Sequence, residues 1–133
     1  MSTEAIATAQ APAPRAAYSQ AVRQGPFLFL SGQVGTDPRT GTVVSDDVAD
    51  QTRQTLANLG AVLAAAGSSW SDVVSVRVYL VDPAHYREMN VVYDAAMTEP
   101  YPARTTIYCG LNPGKLVEID VVAVLPPSSS QSG

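Results

Sequence analysis

A few polar side chains interrupt segments that otherwise consist of apolar, strand-forming residues. Arg104 begins the segment "RTTIY", Ser31 ends "FLFLS", and Glu118 and Asp120 alternate with apolar residues in "LVEIDVVAV". A charged side chain in such a segment costs free energy unless it is paired or bound to an opposite charge. Arg104 is therefore expected either to pair with Glu118 or Asp120, across the sheet or across a subunit interface, or to bind an anion.

The functional groups of Arg104 and Glu118 indicate which chemistry such a site could support. A guanidinium group is planar and binds a carboxylate through two parallel hydrogen bonds, which a lysine cannot reproduce. A partly buried carboxylate has a raised pKa, which suits it to position a water molecule or move a proton. The sequence thus suggests a site for a small carboxylate, with Tyr18 in the first predicted strand and Asn90 in the second predicted helix as further candidates.

Other kinds of catalytic site find little support. The single cysteine, Cys109, and the single histidine, His85, lie in separate predicted elements and provide neither a metal-ligand spacing nor an intrachain disulfide. Cys109 is expected to be a small core residue rather than a nucleophile. The stretch "SGQVG" is too short for a phosphate-binding glycine loop, and no helix directly follows it. We therefore expect neither a metal nor an organic cofactor.

Composition narrows the class of protein. The 133 residues fit one domain that can bury a core without metals or disulfides. Apolar residues make up 46% and charged residues only 15%, which favours coverage of part of the surface by other subunits over a surface of Ser, Thr, Gln and Ala. A net charge of −4 with one lysine provides little electrostatic attraction to a nucleic-acid backbone, so we expect no nucleic-acid partner.

The N-terminal stretch predicts neither a signal peptide nor a membrane anchor. The N-terminal stretch has no basic region and no apolar core, and no segment reaches the roughly eighteen apolar residues of a membrane span. We expect a cytoplasmic protein without membrane contact. Proline-, alanine- and serine-rich composition predicts disordered tails at residues 1–15 and 126–133, which leaves a single domain at 16–125.

Between these tails, the pattern predicts strands and helices in the order β-β-α-β-α-β-β. The stretches "AAYSQAVRQ" and "FLFLSGQVG" form a hairpin, and Ser45 caps a helix that runs to about Ala66 and ends at Gly67. The strand "DVVSVRVYLV" precedes a helix with Asp82 as its N-cap and Pro83 in its first turn, and the last two strands contain Arg104 and Glu118.

Two helices among five strands predict an α+β fold, in which one mixed sheet carries both helices on one face. The opposite face also carries Val and Tyr side chains, yet the chain supplies no third layer. We therefore expect another copy of the chain to cover that face.

Several separated stretches resemble one known family in order and spacing. They are "SGQVGTDPRTG", "VYLVDPAHYREMNVVYDAAM", "PARTT" and "VEIDVVAV". Together they resemble the reactive intermediate (enamine/imine) deaminases, which are also called RidA or YjgF and labelled endoribonuclease L-PSP. The resemblance covers about residues 16–124.

The resemblance implies a chorismate-mutase-like (YjgF) fold, in which three sheets close into a barrel-like homotrimer with active sites between subunits. It places the family's carboxylate-binding arginine on Arg104 and its water-positioning glutamate on Glu118. Its other cleft positions fall on Tyr18, Ser31, Gly32 and Asn90, and Ser31 is expected to assist Glu118 in moving protons. Thr106 stands where the best-known subgroup often has cysteine, and we expect it to contact the substrate.

The activity implied is hydrolysis of 2-aminoacrylate-type enamines and 2-iminopropanoate-type imines to 2-oxo acids and ammonia, without a cofactor. Two departures from the family pattern, Thr106 and a loop at 109–115 that is one residue shorter than usual, mean that the resemblance does not predict which imine is the substrate. The alternatives are a pathway-specific deaminase of the aminomuconate type, a ribonuclease, and a trimer that binds a small carboxylate, imine or 2-oxo acid without turning it over.

Overall fold

The computed structural model describes residues 2–127. All of its strands belong to one sheet, in the order β1-β2-β3-β7-β5-β6, and β4 also pairs with β7. The strands β5 and β6 are parallel, whereas every other pair is antiparallel. In chain order, the elements are β1 (Glu4–Ile6), β2 (Ala21–Gln24), β3 (Phe27–Leu30), β4 (Gln33–Val34), α1 (Val48–Ala65), β5 (Val73–Leu80), α2 (Tyr86–Ala96), β6 (Ala103–Tyr108) and β7 (Val117–Val124).

The strand β7 lies in the middle of the sheet and shows why the sheet has two unlike faces. Its side chains alternate between buried and half-buried, as expected when successive residues of a strand point to opposite faces. Val117, Ile119 and Val121 lie on the face that packs against α1 and α2, here called the helix face. The predicted α+β arrangement, a mixed sheet with two helices on one face, is confirmed.

The opposite side of the sheet, here called the open face, carries polar groups and exposed apolar groups. Glu118 and Asp120 of β7 lie on it, and Phe27, Phe29 and Ile107 are each at least 40% exposed there. Exposed aromatic side chains of this size are consistent with an additional layer supplied by another subunit.

The predicted disorder of residues 1–15 is wrong for the N-terminal segment. Residues 4–6 form β1, which pairs with β2 from Glu4↔Arg23 to Ile6↔Ala21. The buried side chain of Gln20 also holds this segment: its Oε1 accepts a hydrogen bond from the Thr8 N–H at 2.7 Å, and its Nε2 donates to three carbonyl oxygens between residues 8 and 12. Composition did not predict this order, because backbone hydrogen bonds to a neighbouring strand do not depend on the type of side chain. Residues 128–133 of the predicted C-terminal tail lie outside the described residues.

Two predicted strands are shorter in the structure. The first begins at Ala21 rather than Ala16, and the second is broken at Ser31 and Gly32 into β3 and β4. The break allows the chain to approach Glu118 closely, as described below.

The first helix ends where the sequence predicts, but both helices begin later than predicted, α1 at Val48 and α2 at Tyr86. Asp47, not Ser45, caps α1, because its side chain accepts a hydrogen bond from the Asp50 N–H at 2.9 Å. Ser45, two residues earlier, instead accepts a hydrogen bond from the Asp47 N–H at 3.1 Å. Gly67 ends the helix at φ +75°, as predicted. Asp82 caps a short 3-10 turn, Pro83–His85, that leads into α2.

The buried amide side chain of Gln51 joins α1 to the turn before β7. Its Nε2 donates to the carbonyl oxygens of Ser45 and Gly114 at 2.8 and 3.0 Å, and its Oε1 accepts from the Leu116 N–H at 2.9 Å. A Cβ on Gly35 would lie 2.8 Å from the Gln51 Cα, so the chain can pass the helix this closely only at glycine. One side chain therefore satisfies three backbone groups that form no ladder hydrogen bonds.

The substitution Gln51→Leu should destabilise the fold by about 2–4 kcal/mol, because it leaves buried backbone groups without partners. Equilibrium urea unfolding at a fixed protein concentration measures this loss. Gln54→Leu is the matched control, since it removes a single hydrogen bond, to Asn58, at a half-buried position of the same helix. Equal midpoints for the two variants would show that the contacts of Gln51 do not stabilise the fold.

Candidate active site

The two residues expected to act together lie on opposite faces of the sheet. Arg104 pairs with Val76, which pairs with Val121, so Arg104 lies on the helix face. Glu118 pairs with Tyr79 on the open face. Within one chain, the predicted ion pair of Arg104 with Glu118 or Asp120 is therefore absent among residues 2–127.

Side chains of α2 hold the Arg104 guanidinium group in place. Its Nη1 donates to Asn90 Oδ1 at 2.7 Å, and its Nη2 donates to the Tyr86 hydroxyl at 2.8 Å. Its central carbon lies 4.7 Å from the ring centroid of Tyr93 and 5.7 Å from that of Tyr86. All three partners are neutral and lie along one side of the helix. The guanidinium is thus oriented, while its charge has no carboxylate partner among the described residues.

A cavity of about 340 Å³ adjoins Arg104 on the helix face and is lined by Asn90, Tyr93, Asp94, Met97, Tyr101, Pro102 and Arg104. The Tyr93 hydroxyl is buried there without a hydrogen-bond partner among residues 2–127. Burial raises the pKa of Tyr93, and the neighbouring Arg104 charge partly opposes this rise. Tyr93 therefore remains a neutral hydrogen-bond donor.

Glu118 lies beside a second cavity of about 360 Å³, to which Tyr18 and Gly32 also contribute. A Cβ built on Gly32 would overlap the Glu118 carboxylate and would lie 3.0 Å from its Cδ. At the break between β3 and β4, the backbone of Gly32 therefore lies directly against the Glu118 carboxylate. Gly32 sets the position of Glu118, a role that the loop sequence alone did not reveal.

The two carboxylates of β7 have different surroundings. Asp120 accepts hydrogen bonds from Arg77 Nε and the Tyr79 hydroxyl, both at 2.9 Å. Glu118 has no hydrogen-bond or ion-pair partner among residues 2–127, and burial raises its pKa, with a further rise from the Asp120 charge. Asp120 is therefore engaged in the sheet, whereas Glu118 is free to bind water or a proton.

Ser31 and Thr106 have less direct positions. The Ser31 hydroxyl donates to the Ser19 carbonyl oxygen at 2.6 Å, so its proton is engaged, although its oxygen can still accept a hydrogen bond. This bond holds the segment that carries Tyr18, whose side chain is 54% exposed. Thr106 follows Arg104 on the helix face of β6, where it pairs with Val78.

Sequence reasoning missed several residues around these cavities. Arg15 was assigned to a disordered tail and Lys115 to a turn, yet both line the Glu118 cavity. Tyr86 and Tyr93 were not identified as site residues, although their helical spacing from Asn90 puts all three on one side of α2. Among residues 2–127, no group of three His, Cys, Asp or Glu side chains could hold a metal ion.

No helix within residues 2–127 has both the length and the apolar character needed to cross a membrane.

Comparison with known proteins identifies the family of the chain. The sequence model of the family described as Endoribonuclease L-PSP matches residues 8–125. A RutC family protein of Pyrococcus horikoshii is 46% identical over 90% of this chain and 96% of its own length. The human 2-iminobutanoate/2-iminopropanoate deaminase is 37% identical over 96% and 93%.

Among solved structures, RidA from an Antarctic Psychrobacter species superposes with a TM-score of 0.88 at 37% identity, covering 92% of this chain and 99% of that one. The predicted YjgF-like fold of the single chain is thereby confirmed. The chain belongs to the Endoribonuclease L-PSP family, which includes the RidA proteins.

Proposed function

We propose that this protein hydrolyses reactive 2-imino acids and their enamine tautomers to 2-oxo acids and ammonia. The observation that carries the proposal is Arg104, whose guanidinium is oriented by neutral groups and lacks an anionic partner among the described residues. Such a group is ready to bind a carboxylate through two hydrogen bonds. The named activity of the human relative, at 37% identity, supports the same chemistry.

The complete site would form between subunits of a homotrimer. Arg104 and Glu118 are on opposite faces of one sheet, so a single substrate would reach both only if a neighbouring copy supplied one of them. Arg104, Asn90 and Thr106 of one subunit would then face Tyr18, Gly32, Ser31 and Glu118 of the next. The exposed aromatic residues of the open face support such an association.

The reaction needs orientation and proton transfer rather than a covalent intermediate. Arg104 binds the substrate carboxylate, and Glu118 accepts a proton from the water molecule that adds to the imine carbon. Glu118 passes this proton to the nitrogen, which gives a neutral carbinolamine. A second proton then moves from the new hydroxyl group through Glu118 to the nitrogen as the carbon–nitrogen bond breaks, so that ammonia leaves and the 2-oxo acid forms. Holding water and imine in contact lowers the barrier by several kcal/mol without a cofactor.

Two other activities compete with this proposal. A protein that only binds small carboxylates would use Arg104 in the same way, and turnover of an imine distinguishes it. A ribonuclease is less consistent with a net charge of −4.

The first experiment generates 2-iminopropanoate in solution with an amino-acid oxidase and traps it with semicarbazide. The wild type should suppress trapping, whereas Arg104→Ala should lower kcat/KM by about 100-fold because the carboxylate loses its charged hydrogen bonds. Arg104→Lys should recover little, since an ammonium group lacks the planar fork.

Arg87→Ala is the matched control, because it removes an exposed cation from α2, the helix whose side chains contact Arg104. Activity of Arg104→Ala equal to that of the control would contradict the role of Arg104. If Arg104→Ala unfolds while Arg104→Lys is folded and fully active, the role of Arg104 is to stabilise the fold and not to bind the carboxylate.

The Glu118 carboxylate should control both the rate and the stability as a function of pH. Its pKa is raised by burial and by Asp120, so activity should fall on acidification with a midpoint above the ordinary value for glutamate. Glu118→Gln should lower kcat more than it changes KM and should remove this acid limb. Rates measured across the pH range test the prediction, and an unchanged profile would exclude Glu118 as the proton acceptor.

The same raised pKa predicts that Glu118→Gln is at least as stable as the wild type near neutral pH. A folded-state pKa above the unfolded value means that ionised Glu118 destabilises the fold; the penalty is complete above the folded pKa and absent below the unfolded one. Thermal unfolding at several pH values should show the advantage of the variant disappearing on acidification. A variant less stable at neutral pH would contradict the isolation of this carboxylate.

Gly32→Ala should reduce kcat by about tenfold while the chain remains folded, because the new methyl group displaces only the end of the Glu118 side chain. Gly110→Ala is the matched control, since a Cβ at that position meets nothing within 4 Å. Steady-state rates and unfolding midpoints of both variants test the prediction. Full activity of Gly32→Ala would show that the carboxylate position is not critical.

A further inference from the structure

Two cations line the cavity beside Glu118. They are Arg15, from the segment before β2, and Lys115, the single lysine of the chain, from the turn before β7. Neither forms an ion pair with any of the residues 2–127; the three ion pairs there involve Arg39, Arg53 and Arg77. The cavity therefore holds two positive charges that no described carboxylate neutralises.

Glu118 does not serve as their counter-ion. A cation in contact with a carboxylate stabilises its ionised form and lowers its pKa. The pKa of Glu118 is instead raised, by burial and by the negative charge of Asp120. Glu118 also forms no ion pair with Arg15 or Lys115 among the described residues, so it does not neutralise them.

The side chain of Arg15 and the backbone of Lys115 each have defined neighbours. A Cβ on Gly41, which has φ +76°, would lie 3.1 Å from the Arg15 Nη2. The absence of a side chain at Gly41 therefore leaves space for the guanidinium group. On the other side, the Gln51 side chain binds the Gly114 carbonyl oxygen and the Leu116 N–H on either side of Lys115. The lysine backbone donates to the Asn112 carbonyl oxygen at 3.1 Å.

The cavity is larger than the smallest imino acids require. Its volume of about 360 Å³ lies within the usual range of ligand sites. Because water occupies about 30 Å³ per molecule, this space corresponds to roughly a dozen waters. An iminopropanoate held by its only carboxylate at Arg104 would have no second anionic group for Arg15 and Lys115.

We propose that Arg15 and Lys115 bind a second carboxylate at the far end of the substrate, so that the preferred substrates are dicarboxylic 2-imino acids. Glu118 and the two cations border the same cavity, which places the reacting carbon and the distal carboxylate within one site. This inference rests on the proposed hydrolysis of imines and specifies its substrate class.

The test compares the double variant Arg15→Gln/Lys115→Gln with the wild type. Imines are generated from aspartate, glutamate and alanine by amino-acid oxidases. For the dicarboxylic imines, kcat/KM should fall by about tenfold or more, whereas for 2-iminopropanoate it should change by less than about twofold. Arg53→Gln/Arg87→Gln, which removes the same charge at exposed positions, should leave both rates unchanged.

Calorimetric titration separates this inference from the proposed function. The wild type should bind 2-oxoglutarate about tenfold more tightly than 2-oxobutanoate, and the double variant should lose this preference. One outcome is that no imine is hydrolysed, while the wild type prefers 2-oxoglutarate and the double variant does not. In that case the hydrolase proposal fails and the second anion site stands. If 2-iminopropanoate is hydrolysed and neither rates nor affinities distinguish the diacids, the second anion site is refuted and the hydrolase proposal stands.

Discussion

The alternation of side chains along β7 is the constraint on which the rest of the structure depends. This strand lies between β5 on one side and β3 and β4 on the other, so its register is fixed along both edges. Val117, Ile119 and Val121 fill the core beneath the helices, and Glu118 and Asp120 must then point to the open face. A slip of one residue would place both carboxylates in the core, at a large cost in free energy.

That alternation also separates the two charged groups of the site and leaves both without partners of opposite charge among the described residues. Neutral side chains of α2 orient Arg104, while Gly32 admits the Glu118 carboxylate without giving it a hydrogen bond. Isolated, partly buried charges reduce the stability of a fold, and they are typical of groups kept available for a ligand. Asp120, in contrast, is paired with Arg77 and Tyr79, so the two carboxylates of the strand differ in whether a partner already engages them.

Irregular segments build the walls of the Glu118 cavity, and buried amide side chains make them rigid. Gln20 binds the N-terminal segment, Gln51 the turn that carries Lys115, and Asn58 the carbonyl oxygens of Val34 and Thr36. An amide group can donate and accept at once, so it can satisfy backbone groups that no neighbouring strand reaches. Hydrogen bonds to buried side chains therefore fix these loops where ladder hydrogen bonds are missing.

The sequence alone determined the features that depend on neighbours along the chain. Periodicity located β5 and β7, Gly67 marked the end of α1, and charges within apolar strands singled out Arg104 and Glu118. Tertiary structure alone decided that β1 pairs with β2, that Arg104 and Glu118 lie on opposite faces, and that Arg15 and Lys115 reach one cavity. Strand pairing and loop packing join residues far apart in sequence, and local composition and periodicity carry no record of which partners meet.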